Sequence, residues 1–324
     1  MDKVGKKYLE PNTSRLQIAV VIPAYRVENH LPALLTKIGP EVSAIIIVDD
    51  ACPSRSGFNA SNNSEDVRIH LVEHPENLGV GGAVKSGYQK ALELGMDVVV
   101  KIDGDGQMDP ALIQDLIAPI TSQRADYSKG NRFYKIESLK QMPKVRIFGN
   151  LVLSFFSKLS TGYWTIFDPN NGFTAITATK LKSLPFDKIS NRYFFESDML
   201  FQLGLTSTII ADIPMDSKYG AEKSSLKIRR VLFEFPYKHT RNALKRIFYN
   251  YYLRDFSFAS IELILGLSLS LFGVIFGLAN YIHYRNLGEF TPTGTQIVVV
   301  MSILSGLQFL LGFLAIDMRR NKSI

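Results

Sequence analysis

The chain has 324 residues, enough for one large domain or two ordinary ones, and 46% of them are hydrophobic. Its net charge of +7 and pI near 9.3 suit an anionic partner, whether nucleic acid, a phosphorylated substrate or a membrane surface. The lone cysteine, Cys52, excludes an intrachain disulfide and fits a reducing compartment, and the polar opening MDKVGKKYLEPNTSR lacks the apolar core of a signal peptide.

From Leu16 onward, short β-rich runs alternate with helical patterns. LQIAVVIPAY (16–25) reads as a buried strand, and ENHLPALLTKIG as a helix with Leu31, Leu34, Leu35 and Ile38 on one side and Gly39 as its stop. SAIIIVDD (43–50) and VRIHLVEH (67–74) read as the second and third strands. A glycine-led helix is expected between Gly79 and Leu94, then a fourth strand, MDVVVKID (96–103). DPALIQDLIAPI reads as a helix capped by Asp109 with Pro110 in its first turn. Near-continuous Val/Ile strands between helices predict an α/β fold with a mostly parallel sheet covered on both faces. Ligands of such sheets bind beyond the carboxyl ends of the strands. That places 24–28, Asp49 with Asp50, and 103–107 around one crevice.

Residues 218–254 hold ten Lys or Arg against two Glu, interleaved with aromatic and aliphatic residues. This pattern predicts amphipathic helices on an anionic surface rather than a nucleic-acid site, because apolar spans follow at once. Leu263 to Ile282 and Ile297 to Ile316 carry no charge and match the roughly 20 residues of a bilayer crossing. Lys245, Arg246 and Arg254 precede the first span; Arg319, Arg320 and Lys322 follow the second. This bias predicts cytoplasmic termini and a cytoplasmic N-terminal domain. Gly273 with Gly277 and Ser302 with Gly306 suit packing within the hairpin or in a homo-oligomer. The expected divisions are a polar tail (1–15), the α/β domain (16–217), basic juxtamembrane helices (218–256) and a transmembrane hairpin (257–324, spans about 262–283 and 296–317).

Three stretches carry chemistry. In KIDGDGQMDP, Asp103 and Asp105 can turn toward one ion across a glycine bend, and hard oxygen ligands of this kind suit Mg²⁺ or Mn²⁺. A calcium loop would need Gly in place of Met108 and Glu in place of Gln114. NLGVGGAVKSG (77–87) offers glycines and a helix start, features used both for phosphate approach and for helix packing. Lys85 within it is read as a phosphate contact, with a solvated lysine as the alternative. In VDDACPS (48–54), an acid at a strand end can meet a base or ribose, or simply cap a turn.

Together with VIPAYRVEN and DPNNGF (168–173), these motifs resemble the family 2 glycosyltransferases of GT-A fold. The nearest resemblance is to the polyprenyl-phosphate sugar transferases, over roughly residues 16–230. The resemblance implies a GT-A, Rossmann-like catalytic domain followed by juxtamembrane helices and a two-helix membrane hairpin. It implies Asp103, Asp105 and Gln107 as metal ligands, with Asp103 and Asp105 also serving the nucleotide and catalysis. Pro23, Ala24 and Tyr25 would cradle base and ribose, Glu28 would meet the ribose and Asp49 the base. Arg132 and Arg146 would hold an acceptor phosphate. Asp168 would serve as base or, preferably, orient the acceptor or an arginine. Arg26-Val27 stands where the family carries Asn-Glu, and Lys218–Ser225 matches the family's R-x-x-G-x-S-K only loosely.

The implied reaction is inverting transfer of a sugar from a nucleotide diphosphate sugar, UDP-hexose preferred, to a membrane polyprenyl phosphate. The five histidines are scattered and supply no catalytic base, which a phosphate acceptor does not require. A processive polysaccharide synthase would carry Q-x-x-R-W and more spans. A non-catalytic scaffold would not need the Asp103-Asp105-Gln107 triplet.

Overall fold

Branched aliphatic runs stiffen the chain into strands and give each strand two apolar faces. The computed structural model describes residues 16–133, 144–215 and 228–321. Strands β1 (Ile18–Ala24), β2 (Ala44–Asp49), β3 (Ile69–Glu73), β4 (Val98–Lys101), β5 (Tyr127–Asn131), β6 (Thr174–Thr177) and β7 (Ile210–Pro214) form one sheet, in the order β3-β2-β1-β4-β6-β5-β7. Pairings are parallel except those of β6, which runs antiparallel to both β4 and β5. The mostly parallel sheet is as the sequence predicts; the reversal at β6 is not legible in its TAIT run.

Helices α1 (Leu31–Leu35), α2 (Ser56–Asn62), α3 (Val80–Glu93), α4 (Ile113–Thr121), α5 (Lys144–Thr161), α6 (Ala178–Lys182) and α7 (Phe195–Leu205) connect the strands. Alternate residues of β1 divide between two cores. Val20 and Ile22 join Leu31 and Leu34 of α1 and Leu116 and Ile117 of α4. Ala19 and Val21 join Val84 and Tyr88 of α3 and Leu200 and Leu203 of α7. The glycines of 79–87 serve this packing: a Cβ at Gly87 would overlap Val21, and one at Gly81 would overlap the Ser190 carbonyl. The first expected helix is short, its end closed by amides of Lys37 and Ile38 on the carbonyls of Leu34 and Leu35. The expected cap at Asp109 is present, accepting from the Ala111 amide at 3.1 Å.

Beyond the sheet, α8 (Ile228–Phe248) leads through a π-turn at Tyr249–Leu253 into α9 (Phe258–Leu287) and α10 (Thr293–Asp317). Both last helices are long and apolar enough to cross a membrane, and only 11% of each apolar window is buried, which suggests a membrane protein. Small residues let them approach closely. Cβ atoms at Gly273 and Gly277 would press on Ile303 and Val299, and one at Gly306 on Ser270. The small-residue pairs are therefore used within the hairpin. The tail 1–15, the 218–225 segment and Lys322 lie outside the described residues.

The basic stretch corrects one expectation. Arg246, expected beside an anionic surface, is fully buried because α8 turns that face inward. Its guanidinium grips Asp317 at the end of α10 through two bonds, 2.6 and 2.9 Å, and donates to the Leu159 carbonyl at 2.9 Å. Tyr251 Oη and Trp164 Nε1 donate to the same carboxylate at 2.8 and 3.0 Å. His239 points inward too, 2.8 Å from Ser160 Oγ, and burial pushes its pKa down to about 4. Tyr237, Leu244, Lys245 and Phe248 remain on the outer face.

Removing one partner of a buried pair strands the other charge. Asp317→Ala should therefore destabilise the protein by about 3–5 kcal/mol. The double replacement Arg246→Met with Asp317→Leu should recover part of that loss, as measured by thermal unfolding in detergent.

Candidate active site

The carboxyl ends of β1, β2 and β4 meet as the topology requires. Asp50 N donates to the Ala24 carbonyl at 3.1 Å, and Gly104 lies against the Pro23 carbonyl and Val27, so the turn after β4 packs on the turn after β1. Arg26, Ala51 and Arg55 all adopt positive φ (58°, 51° and 49°), a concentration of backbone strain in the two turns that wall the crevice. Cys52 joins those turns, its Sγ accepting from the Arg26 amide at 3.1 Å. Burial pushes the thiol up, but hydrogen bonding with Ser54 and Ser56 and from the Arg26 amide pulls its pKa down to about 7.

The residues expected to hold base and ribose fall at the ends of β1 and β2 and on the turn after β1, with Tyr25 and Glu28 exposed and Ala24 and Asp49 buried. Tyr25 is 41% exposed, with the Arg26 guanidinium 5.4 Å from its ring centre. Glu28 Oε2 accepts from Ser54 Oγ at 3.0 Å. Asp49 is buried and caps α2, accepting from the amides of Cys52 and Gly57, each at 2.8 Å, and of Phe58 at 3.2 Å. Asp50 accepts from the amides of Leu78 and Gly79 and meets His74 Nδ1 at 2.7 Å, while His74 Nε2 lies 2.8 Å from Ser86 Oγ. Asp50 thus braces the two residues that lead into α3, while the helix's own Gly82 amide donates to the Asn191 carbonyl. Lys85 donates to the carbonyls of Phe186 and Ile189 at 3.1 and 3.0 Å, and burial pushes its pKa down. Its partners belong to the loop after α6 rather than to the aspartate turn.

Asp103 to Gln107 forms a single tight turn. The Gln107 amide donates to Asp105 Oδ1 at 3.0 Å, and Gly106 takes φ +72°, a conformation that favours glycine. The turn holds two carboxylates and one amide, all hard oxygen donors. Among the described residues no cluster of three His, Cys, Asp or Glu side chains forms a closed cage. A donor set of this kind fits an octahedral ion whose remaining positions fall to water and to phosphate oxygens.

What lies behind the turn is not evident from the sequence. Lys101, only 1% exposed at the end of β4, sets its ammonium 2.8 Å from Asp103 Oδ1 and 2.9 Å from Glu196 Oε1 at the start of α7. Burial opposes its charge, yet Asp103 and Glu196 more than compensate and raise its pKa. Gly172 makes room for this group; a Cβ there would overlap both Asp103 Oδ2 and Lys101 Nζ. Register extends the polar row: Lys101 lies opposite Thr174, Thr174 opposite Lys129, and Lys129 opposite Asp212. Directly opposed residues share a face. The hint in the sequence is a lysine closing an apolar strand, VVVK, and another inside YSKGN.

The far end of the row holds the acceptor-side candidates. Arg132 grips Asp168 through Nε to Oδ2 at 2.8 Å and Nη2 to Oδ1 at 3.0 Å. Asn171 Nδ2 donates to the same carboxylate at 3.3 Å, and Lys129 Nζ donates to the Asp168 carbonyl. Burial would raise the Asp168 pKa, but Arg132 overrides it and holds the carboxyl below its usual range. A carboxylate held in this way is a poor proton acceptor and a good anchor. Arg146 falls in the first turn of α5, and its side chain lies outside the described residues. The loop 168–173 bridges both groups, with Asp168 on Arg132 at one end and Gly172 against Asp103 at the other.

The family model for glycosyl transferase family 2 matches residues 19–184. Over 217 residues the chain is 32% identical to the UDP-N-acetylglucosamine–dolichyl-phosphate N-acetylglucosaminyltransferase of Methanococcus voltae, covering 62% of this chain and 86% of that protein. It is 28% identical over 217 residues to the undecaprenyl-phosphate mannosyltransferase of Micrococcus luteus, covering 65% and 88%. Among solved structures, mannosyl-3-phosphoglycerate synthase from Rubrobacter xylanophilus superposes with a TM-score of 0.55 at 15% identity, over 75% of this chain and 77% of that one. Glucosyl-3-phosphoglycerate synthase from Mycobacterium tuberculosis, in complex with Mn²⁺, UDP-glucose and phosphoglyceric acid, gives 0.52 at 18% identity, over 74% and 85%. These two likenesses establish the GT-A type of fold.

Because the Asp168 carboxyl is held below its usual range, its contribution to stability is complete above the unfolded pKa of about 4 and drains away as the pH falls through the folded value. Stability should therefore decline progressively below about pH 5. Asp168→Asn should lower stability at pH 7 and flatten that acid dependence, read by thermal unfolding across pH.

Proposed function

The chain belongs to glycosyl transferase family 2, and on that premise we propose that it transfers a hexose from a UDP-sugar to the phosphate of a membrane polyprenol. The observation that carries this reading is the 168–173 loop, which ties an oxygen-donor turn to an arginine held by a carboxylate. The first suits a nucleotide diphosphate and the second a phosphate acceptor. The named relatives act, by their names, on dolichyl or undecaprenyl phosphate, which supports the same acceptor class.

Asp103, Asp105 and Gln107 are the residues that would hold Mg²⁺ or Mn²⁺. Bound there, a divalent ion would offset the negative charge that develops on the departing diphosphate. Tyr25, Glu28 and the turn stiffened by Asp49 form the wall proposed for base and ribose, with Pro23 and Ala24 as its floor. Arg132 presents a planar fork to phosphate oxygens, and Asp168 fixes the direction of that fork. Arg146 is proposed as its second cation.

A phosphate monoester has a second pKa of about 6 and is already a nucleophile at neutral pH. No general base is needed, so Asp168 is free of that task and acts as a positioning residue. Attack by the phosphate oxygen forms the new glycosidic bond as the bond to the diphosphate breaks. One such displacement inverts the anomeric carbon. The Arg246–Asp317 pair brings the end of α10 back to the domain, which supports a hairpin with both ends on the domain's side of the bilayer. The exposed Lys245, Arg254 and Arg319 favour the cytoplasmic side.

Asp105→Ala should reduce transfer by at least about a hundredfold. Its recovery in the membrane fraction should be unchanged. Incubating membranes with a panel of UDP- and GDP-sugars and undecaprenyl phosphate, with the lipid product read by mass spectrometry, tests the reading. Full activity of Asp105→Ala in the presence of chelator would remove the metal assignment.

A further inference from the structure

We propose that Lys101 is a resident counter-cation that keeps a bare divalent ion off Asp103, so that metal and nucleotide diphosphate bind together rather than in sequence. This rests on the metal reading given above and extends it to a residue outside the ligand set. Three observations on this chain carry it. The ammonium is 1% exposed and lies 2.8 Å from Asp103 Oδ1, so a carboxylate assigned to the metal already has a cation on one oxygen. Glu196, on a different element, holds the same ammonium at 2.9 Å and limits how closely it neutralises Asp103. Gly172 packs directly on the pair, since a Cβ there would overlap both Asp103 Oδ2 and Lys101 Nζ.

Like charges a few ångströms apart repel strongly in a partly buried site. A metal ion arriving alone meets Lys101 across Asp103. An ion arriving with a diphosphate brings the negative charge that offsets that repulsion. Lys101 is in this sense a positioning residue: it holds the orientation of Asp103 and biases the composition of what binds. Glu196 works in the opposite direction by drawing the ammonium's charge toward itself.

The two roles predict effects of opposite sign on the binding of the bare ion. Full-length protein in detergent micelles is titrated with Mn²⁺ alone, and again with UDP present, with free Mn²⁺ followed by electron paramagnetic resonance. In the wild type, Mn²⁺ alone should bind weakly and UDP should tighten it. Lys101→Met should bind Mn²⁺ alone at least about tenfold tighter, and the gain from UDP should shrink. Glu196→Gln should bind Mn²⁺ alone several-fold more weakly. Joint weakening in Lys101→Met and Glu196→Gln, or no change in either, overturns the inference. Should Lys101→Met fail to fold, Lys101→Gln, which keeps a hydrogen-bond donor at the site without the charge, takes its place: tighter binding of Mn²⁺ alone supports the inference, and unchanged or weaker binding overturns it. Absence of Mn²⁺ uptake by the wild type even with UDP removes the metal reading, and this inference with it. Uptake with UDP but no tightening in a folded Lys101→Met removes this inference alone.

Discussion

A buried ammonium between two carboxylates organises the centre of this protein. Lys101 has lost its water and is stable as a cation only because Asp103 and Glu196 face it from different elements. That requirement fixes the end of β4 against the start of α7, and it demands a glycine where the 168–173 loop crosses. The loop in turn carries Asp168 to Arg132. One electrostatic need therefore propagates from the aspartate turn, through a close backbone approach, to an arginine on the far side of the sheet.

The same economy appears in the crevice walls. Carboxylates at the strand ends act first as local braces: Asp49 on the opening of α2, Asp50 on the opening of α3, Asp105 on its own turn. Turns in strained conformations persist because these groups over-determine them. The glycines of 79–87 belong to this bracing, since they let α3 lie close on β1 and on the 190–191 segment. A site built this way is stiff before any ligand arrives, which limits the reorganisation that binding must drive.

Much of this was legible in the sequence because it depends on neighbours in the chain. Val/Ile runs specify buried parallel strands, Asp109-Pro110 specifies a helix start, and the glycines of Asp103-Gly-Asp105-Gly-Gln107 specify one tight turn carrying oxygen donors. What was not legible depends on distant partners. Glu196 lies far along the chain from Lys101, and no local pattern distinguishes a lysine that is paired and buried from one that is solvated. Arg246 sits among basic surface residues, and only the return of the last helix buries it. The direction of β6 follows from which strands it fits between, which its four residues do not encode. For Lys85 the phosphate contact and a plain solvated side chain were both open, and the structure gives a third answer: carbonyl caps on a neighbouring loop.

The Arg246–Asp317 contact also sets an order of events. Asp317 lies 71 residues beyond Arg246, yet its carboxylate is the partner of a buried guanidinium that also holds the Leu159 carbonyl and neighbours Trp164 and Tyr251. Until α9 and α10 have both been made and have folded back on the domain, Arg246 lacks this counter-ion. The domain and its two apolar helices therefore complete one another's packing, and a chain that stops before α10 leaves a buried guanidinium without its carboxylate.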